Sequence, residues 1–259
     1  MANEHKIEYA VVMSQETIAA GIYSIWIRTQ MAEQARAGQF VSLYTSNGAT
    51  LLPRPISICE ISEDKTALRL VYRVVGKGTK EFSGLIEGEK VKVLGPLGNG
   101  YTLKDKTAIL AAGGIGIPPI VELAKELKQQ YACKLNIVVG YRDELFLLEE
   151  LKQYGEVFVS TEDGSFGTKG NIMDAIRENH IEGDIIYACG PMPMLRAVKE
   201  YAVLKDIEAQ ISLEERMACG IGACLGCVCK TKHKDEHTHV NNARICTDGP
   251  VFEARDVEI

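Results

Sequence analysis

The sequence has no apolar run long enough to cross a bilayer; its longest, such as Ala108 to Ala112 and Ile137 to Val139, fall far short of the span a membrane helix needs. It lacks a basic field: the net charge is −6 and the pI about 5.5, so a nucleic-acid backbone is not an expected partner. The first residues, Met-Ala-Asn-Glu-His-Lys, lack the apolar core of a signal peptide, and a cytoplasmic location is the expectation. Internal repeats and low-complexity tracts are missing too, which argues against a solenoid or a disordered linker. A second C-x2-C unit is absent, as is the G-x-G-x-x-G fingerprint of a simple dinucleotide-binding dehydrogenase.

The chain does have 259 residues, 46% of them hydrophobic and 25% charged, enough for two ordinary domains and an appendage. Up to about residue 103, β-branched and aromatic runs separated by Gly, Asn and Pro predict short strands: Lys6 to Met13, Gly21 to Thr29, Gly38 to Thr45, Ile56 to Ile61, Ala67 to Val75 and Lys90 to Leu94. They predict a small antiparallel β barrel, interrupted by one helix over Thr79 to Leu85. From about 104 to 213 strands alternate with helices, which predicts an α/β unit with a doubly wound parallel sheet. From 214 to 259 the chain is rich in Cys and Gly without sustained periodicity.

That last segment carries the strongest local signal. Of eight cysteines, five crowd it, and in a reducing compartment such clustering favours metal ligation over disulfides. The spacing Cys219-x4-Cys224-x2-Cys227, with Cys246 after eighteen intervening residues, is the plant-type [2Fe–2S] arrangement. Small residues (Gly220, Gly222, Ala223, Gly226) would let the loop wrap a compact cluster and aim N–H groups at its sulfurs. A four-cysteine zinc site is the competing reading. A Rieske centre would need histidines interleaved with cysteines, whereas His233, His237 and His239 fall outside that pattern and read as part of a solvated hairpin. Cys229 reads as a buried neighbour, outside the ligand set.

Two further regions carry weaker signals. Arg54-Pro55-Ile56-Ser57 offers a planar guanidinium for a pyrophosphate and a hydroxyl for a flavin ring, although Arg-Pro at a strand start is also common without a cofactor. Near it stand Val71-Tyr72-Arg73 and Gly76-Lys77-Gly78-Thr79, the latter a phosphate-binding helix start or a tight turn capped by Thr79. Gly113-Gly114-Ile115-Gly116 follows the first α/β strand and permits close approach of a dinucleotide; Cys189-Gly190-Pro191-Met192 ends a second strand at the same sheet edge. Cys189 is the one candidate for a catalytic role, by its expected nearness to a nicotinamide; its bland reading is a small apolar residue. Glu162 and Asp163 could accept hydrogen bonds from a ribose and repel a 2′-phosphate, so NAD is expected over NADP; an exposed acidic turn is the alternative.

Together these pieces resemble the ferredoxin–NADP reductase superfamily, and within it most closely the electron-transfer subunits of NAD-dependent type B dihydroorotate dehydrogenase. The resemblance extends over essentially the whole chain. It implies an FAD-binding barrel (1–103), an NAD-binding α/β domain (104–213) and a [2Fe–2S] segment (214–259). Arg54, Pro55, Ile56, Ser57, Val71, Tyr72, Arg73, Gly78 and Thr79 match family FAD contacts. Gly113, Gly114, Gly116, Glu162, Asp163, Cys189, Gly190, Pro191 and Met192 are the NAD candidates, and Cys219, Cys224, Cys227 and Cys246 match the cluster ligands. The implied partner is an FMN-containing catalytic subunit in a heterotetramer, two of each, that serves pyrimidine (UMP) biosynthesis; this chain would not itself oxidise dihydroorotate. The superfamily's flavin motif usually reads Arg-x-Tyr-Ser/Thr, and Ile56 at the aromatic position throws weight onto Tyr72. Rivals are a reductase subunit of a transhydrogenase or sulfhydrogenase, and a zinc-binding interaction module.

Overall fold

The computed structural model describes residues 6–47, 50–142, 144–232, 234 and 239–259. Six antiparallel strands, β1 (Lys6–Ala19), β2 (Ile22–Arg28), β3 (Phe40–Tyr44), β4 (Arg54–Ile61), β5 (Ala67–Arg73) and β6 (Lys90–Leu97), close into a barrel in the order β1-β2-β5-β4-β3-β6. Period-2 alternation puts Ile25 and Ile27, Val41 and Leu43, Leu68 and Leu70, and Val91 and Val93 inside as one core. The short helix α1 (Lys77–Phe82) lies between β5 and β6. It begins two residues before the predicted Thr79 start and stops before Leu85, because Thr79 belongs to its first turn.

The second half folds as β7 (Ala108–Gly113), α2 (Pro118–Gln130), β8 (Leu135–Tyr141), α3 (Leu148–Lys152), β9 (Glu156–Thr161), β10 (Thr168–Lys169), α4 (Ile172–Glu178), β11 (Ile185–Cys189), α5 (Met192–Lys205) and β12 (Glu208–Ser212). The remaining strands are β13 (Val228–Thr231), β14 (Asn242–Arg244), β15 (Val251–Glu253) and β16 (Val257–Glu258). The large sheet runs β10-β9-β8-β7-β11-β12-β15. Strands β7 to β12 are parallel, as the alternation predicts, but β15 runs antiparallel to β12. The wholly parallel sheet is thereby corrected at one edge. The C-terminal segment also has more regular structure than predicted, since β13, β14 and β16 form a small sheet of their own. Strands this short leave no periodicity to read; distant partners create them.

Helix α2 is buried between sheet and barrel, with Ile120, Val121, Leu123, Ala124 and Leu127 in the core. Its polar face is buried as well. Glu122 Oε2 accepts from the Ile61 N–H at 2.7 Å, and Lys125 Nζ donates to the Ile61 carbonyl, so the end of β4 is held by an i,i+3 pair on the helix. Beside them Arg69 donates to Ser24 Oγ (2.9 Å) and pairs with Glu60 and Glu150 at 3.4 Å. No helix among the described residues is long and apolar enough to cross a membrane.

Candidate functional site

On the barrel, two separate motifs become one surface. A Cβ at Gly78 would lie 2.8 Å from Arg54 Nε and 3.0 Å from its Cζ, so only glycine lets the guanidinium lie across the first turn of α1. Arg54 is further steadied by donating to the Leu52 carbonyl. Thr79 is engaged locally: its Oγ1 accepts from the Val75 and Gly76 N–H groups at 3.0 and 3.2 Å, the capped turn that stood as the alternative to a phosphate site. Tyr72 departs from expectation. Its ring is buried in the barrel, stacked on Tyr23 (centroids 6.0 Å apart) and edge-on to Phe82 (6.3 Å), with its hydroxyl on Gln15 Oε1 at 3.0 Å. The phenol therefore cannot replace the aromatic missing at Ile56; what Tyr72 offers a ligand is main chain. Gln15, which also donates to the Phe82 and Leu85 carbonyls, was not foreseen, since its partners lie 57 to 70 residues away.

At the sheet, β7 leads to β8 on one side and β11 lies on the other, so the strand order reverses between β7 and β11. The two glycine motifs meet there. A Cβ on Gly116 would come within 2.4 Å of the Cys189 carbonyl oxygen, one on Gly113 within 2.8 Å of Met194 Sδ, and one on Gly190 within 3.1 Å of the Gly113 nitrogen. Packing between the two strand ends therefore requires glycine at these three positions, whereas Gly114 (φ 54°) has nothing within 4 Å of its Cβ position and leaves open space at the turn. Tyr101 ties this edge to the barrel's exit, its hydroxyl donating to the Ala188 carbonyl at 3.1 Å. Burial pushes the Cys189 thiol up to about 12, against a hydrogen bond with Ser212. It is a neutral thiol near pH 7 and not a ready nucleophile. Glu162 and Asp163 are exposed at the end of β9, two strands from β7; Asp163 Oδ1 accepts from the Ser165 N–H at 2.9 Å, within its own turn.

The cysteine loop leaves β12 and returns through β13. Gly220 (φ 71°) and Gly222 (φ 76°) occupy the left-handed region and turn the chain sharply on either side of Ile221. N–H groups converge on sulfur: Cys224 donates to Cys219 Sγ at 3.3 Å and Gly222 donates to Cys246 Sγ at 3.2 Å. Against the opposing cost of partial burial, the backbone N–H groups turned toward the sulfur bring the Cys219 thiol down to about 7. Burial pushes Cys246 the other way, to about 12, with Cys227 adding to the shift.

The four thiols lie together on this loop: Cys219 neighbours Cys224, and Cys246 feels both Cys227 and Cys219. Among the described residues no three ligating side chains converge on one point. Cys229 stands apart on β13, opposite Ala243, its thiol pushed up by burial. His239 is exposed and the β13–β14 hairpin exists, but His233 and His237 lie outside the described residues.

The loop is seated on the barrel. Asn99 Nδ2 donates to the Thr247 and Asp248 carbonyls (3.0 and 3.2 Å), and a Gly220 Cβ would lie 3.3 Å from both Leu97 Cδ1 and Ser42 Oγ. Only β3 stands between the loop and β4, which carries Arg54. In the sequence Asn99 reads only as a turn residue.

Comparison with known proteins matches residues 214–258 to the iron–sulfur cluster binding domain of dihydroorotate dehydrogenase B and residues 110–200 to the oxidoreductase NAD-binding domain. A Fusobacterium nucleatum protein, 45% identical over 98% of this chain and 99% of its own length, is the dihydroorotate dehydrogenase B (NAD(+)) electron transfer subunit. The Streptococcus pneumoniae protein of the same name is 41% identical over 95% of this chain and 96% of its own. Among solved structures, that of the NADH-dependent reduced ferredoxin-NADP oxidoreductase superposes with a TM-score of 0.86 at 26% identity, covering 100% of this chain and 91% of that one. A ferredoxin NADP+ reductase from Neisseria gonorrhoeae with bound FAD and NADP shares the fold (TM-score 0.62, 17% identity, 78% and 92% covered).

Proposed function

Because this chain belongs to the family of electron-transfer subunits of dihydroorotate dehydrogenase B, we propose how its residues divide the work of carrying electrons from a dihydroorotate-oxidising partner to NAD+. Cys219, Cys224, Cys227 and Cys246 hold a [2Fe–2S] cluster. Arg54, with Gly78 beneath it, holds the FAD pyrophosphate; Ser57 and the main chain of Pro55, Ile56, Val71, Tyr72, Arg73 and Thr79 line the rest of the flavin site. The backbones of Gly113, Gly114, Gly116 and Gly190 receive NAD, flanked by Cys189, Pro191 and Met192, with Glu162 and Asp163 toward its ribose. FAD supplies the exchange between two-electron hydride chemistry and one-electron chemistry, which neither neighbour performs alone. The domains follow as 1–103, 104–213 and 214–259.

The observation that carries this reading is a loop of four cysteines with backbone N–H groups aimed at the Cys219 and Cys246 sulfurs, seated on the barrel one strand from β4. It is tested by the absorption and electron paramagnetic resonance spectra of anaerobically purified protein before and after NADH. The expected result is bleaching of the flavin bands with the appearance of a reduced [2Fe–2S] signal. Colourless, zinc-containing, flavin-free protein would sink it.

The partner is an FMN-bearing catalytic subunit, two of each chain forming a cytoplasmic heterotetramer. Apolar side chains on the loop support docking there: Leu225 is 75% exposed and Ile221 is 46%, on either side of Cys224. Arg54→Ala is expected to weaken FAD binding. A charge-assisted contact contributes about 1.5–3 kcal/mol, so affinity measured by flavin fluorescence should fall roughly 10- to 150-fold; unchanged retention removes Arg54 from the site.

A further inference from the structure

Among the described residues two buried hydroxyls lack a hydrogen-bond partner, Ser42 Oγ and Ser160 Oγ. Leaving such a group unpaired costs about 1–3 kcal/mol, and buried polar groups in native proteins almost always have a partner. Ser160 lies inside the sheet against Gly140. Ser42, 1% exposed, lies at a junction.

Its strand, β3, pairs with β4 on one side and β6 on the other, and Ser42 stands opposite Pro55 and Leu94. Cross-strand neighbours share a face, so the hydroxyl is flanked by two apolar side chains. Leu97 approaches the same spot, both Leu97 Cδ1 and Ser42 Oγ lying 3.3 Å from the Cβ position of Gly220. The remaining direction is the loop itself, at the residue after Cys219. Neither Val41 nor Leu43 competes for this role, since both point into the barrel core.

We propose that the Ser42 hydroxyl donates a hydrogen bond to a sulfur of the group held by Cys219, and that Ser42 thereby sets how readily that group accepts an electron relative to FAD. The inference rests on the iron–sulfur reading above. A donor aimed at sulfur stabilises the negative charge of the reduced state, as the loop's own N–H groups do, and raises the potential. Ser42 is a positioning and tuning residue and not a ligand. Because Ser42 also stands opposite Pro55 of the proposed flavin site, the FAD potential is followed alongside that of the cluster.

The test uses full-length protein purified anaerobically with its cofactors, as wild type, Ser42→Ala and Ser42→Thr. Pulsed electron paramagnetic resonance of the reduced protein after exchange into D2O counts exchangeable deuterons coupled to the cluster, and a redox titration follows cluster and FAD separately. Ser42→Ala is expected to lose one coupled deuteron. It should also disfavour cluster reduction about tenfold, which is about 59 mV for a one-electron couple, with the FAD potential unmoved. Ser42→Thr should restore both. A coupling and potential unchanged in Ser42→Ala overturn the proposal, as does a shift of FAD alone, which would assign the hydroxyl to the flavin. Wild-type protein without a cluster signal overturns the iron–sulfur reading and this one together; a wild-type signal untouched by Ser42→Ala overturns this one alone.

Discussion

Cys224→Ser protein, purified without oxygen, is expected to be yellow, to hold flavin, and to contain no [2Fe–2S] cluster. Serine is a hard oxygen donor that keeps its proton near neutrality, whereas iron–sulfur clusters are held by thiolates. The substitution removes half of the Cys219–Cys224 pair and leaves Cys227 and Cys246 facing an incomplete site. It does not remove the Cys224 N–H that donates to Cys219, so the loop's backbone turn persists and the damage stays local. FAD should still be reduced by NADH, because Arg54, Gly78 and the β7–β11 crevice lie outside the loop. Coupled turnover from dihydroorotate to NAD+ with the catalytic partner should vanish. Iron analysis and the two activities, measured side by side, check this. Undiminished coupled turnover would remove Cys224 from the ligand set and with it the reading of the segment.

The second large effect is expected at Lys125, outside the proposed cofactor contacts. Its ammonium donates to the Ile61 carbonyl and lies 3.5 Å from Glu122 and 4.0 Å from Glu60, 8% exposed beside a carboxylate that is 3% exposed. Burial pushes the Glu122 carboxyl from 4.5 up to about 7; the Ile61 N–H and Lys125 pull it down, and Glu126 and Glu60 push it up. Lys125→Met would leave an ionised Glu122 without its cation. Breaking a buried pair in this way costs about 3–5 kcal/mol, or roughly 6–20 °C in melting temperature for a chain of this size.

The loss should depend on pH. The folded protein takes up a proton on Glu122 at higher pH than the unfolded chain does. Wild-type stability from this group therefore falls as pH rises from about 4.5 to about 7. At pH 6 Glu122 is mostly neutral and the pair with Lys125 is already weakened, so Lys125→Met should cost less there than at pH 8. Since α2 begins just after the Gly113–Gly116 turn and Ile61 ends β4, the strand that carries Arg54, the variant at pH 8 should also reduce its FAD more slowly with NADH. Equal melting losses at both pH values would mean that Lys125 stabilises through the Ile61 carbonyl and packing, and not through Glu122.

Features governed by local backbone geometry were open to reading in the sequence. Cys219, Cys224 and Cys227 fall within nine residues, and Gly220 and Gly222 adopt the conformations that glycine allows and other residues resist. The alternation of Ile25 with Ile27 and of Leu68 with Leu70 has a period only a half-buried strand satisfies. The change to strands separated by helices after residue 103 announces a different architecture. The antiparallel course of β15 and the small sheet of β13, β14 and β16 were hidden. Strands of two to four residues form because a distant partner supplies their hydrogen bonds. Tyr72 was placed by the wrong clue: a tyrosine beside a cofactor motif suggests a phenol at the cofactor, but strand parity turns this one inward to Gln15.

The sequence alone, then, determined the order of the architectures and the spacing of the cysteines proposed as ligands, because both depend on residues near one another along the chain. Tertiary structure alone decided the relations among sites. The Gly222 N–H on Cys246, the guanidinium of Arg54 across Gly78, the burial of α2's charged face on β4 and the unpaired Ser42 beside Gly220 each join segments from 24 to 178 residues apart. Such contacts follow from how whole sheets twist and close upon one another, and no window of neighbouring residues carries that information.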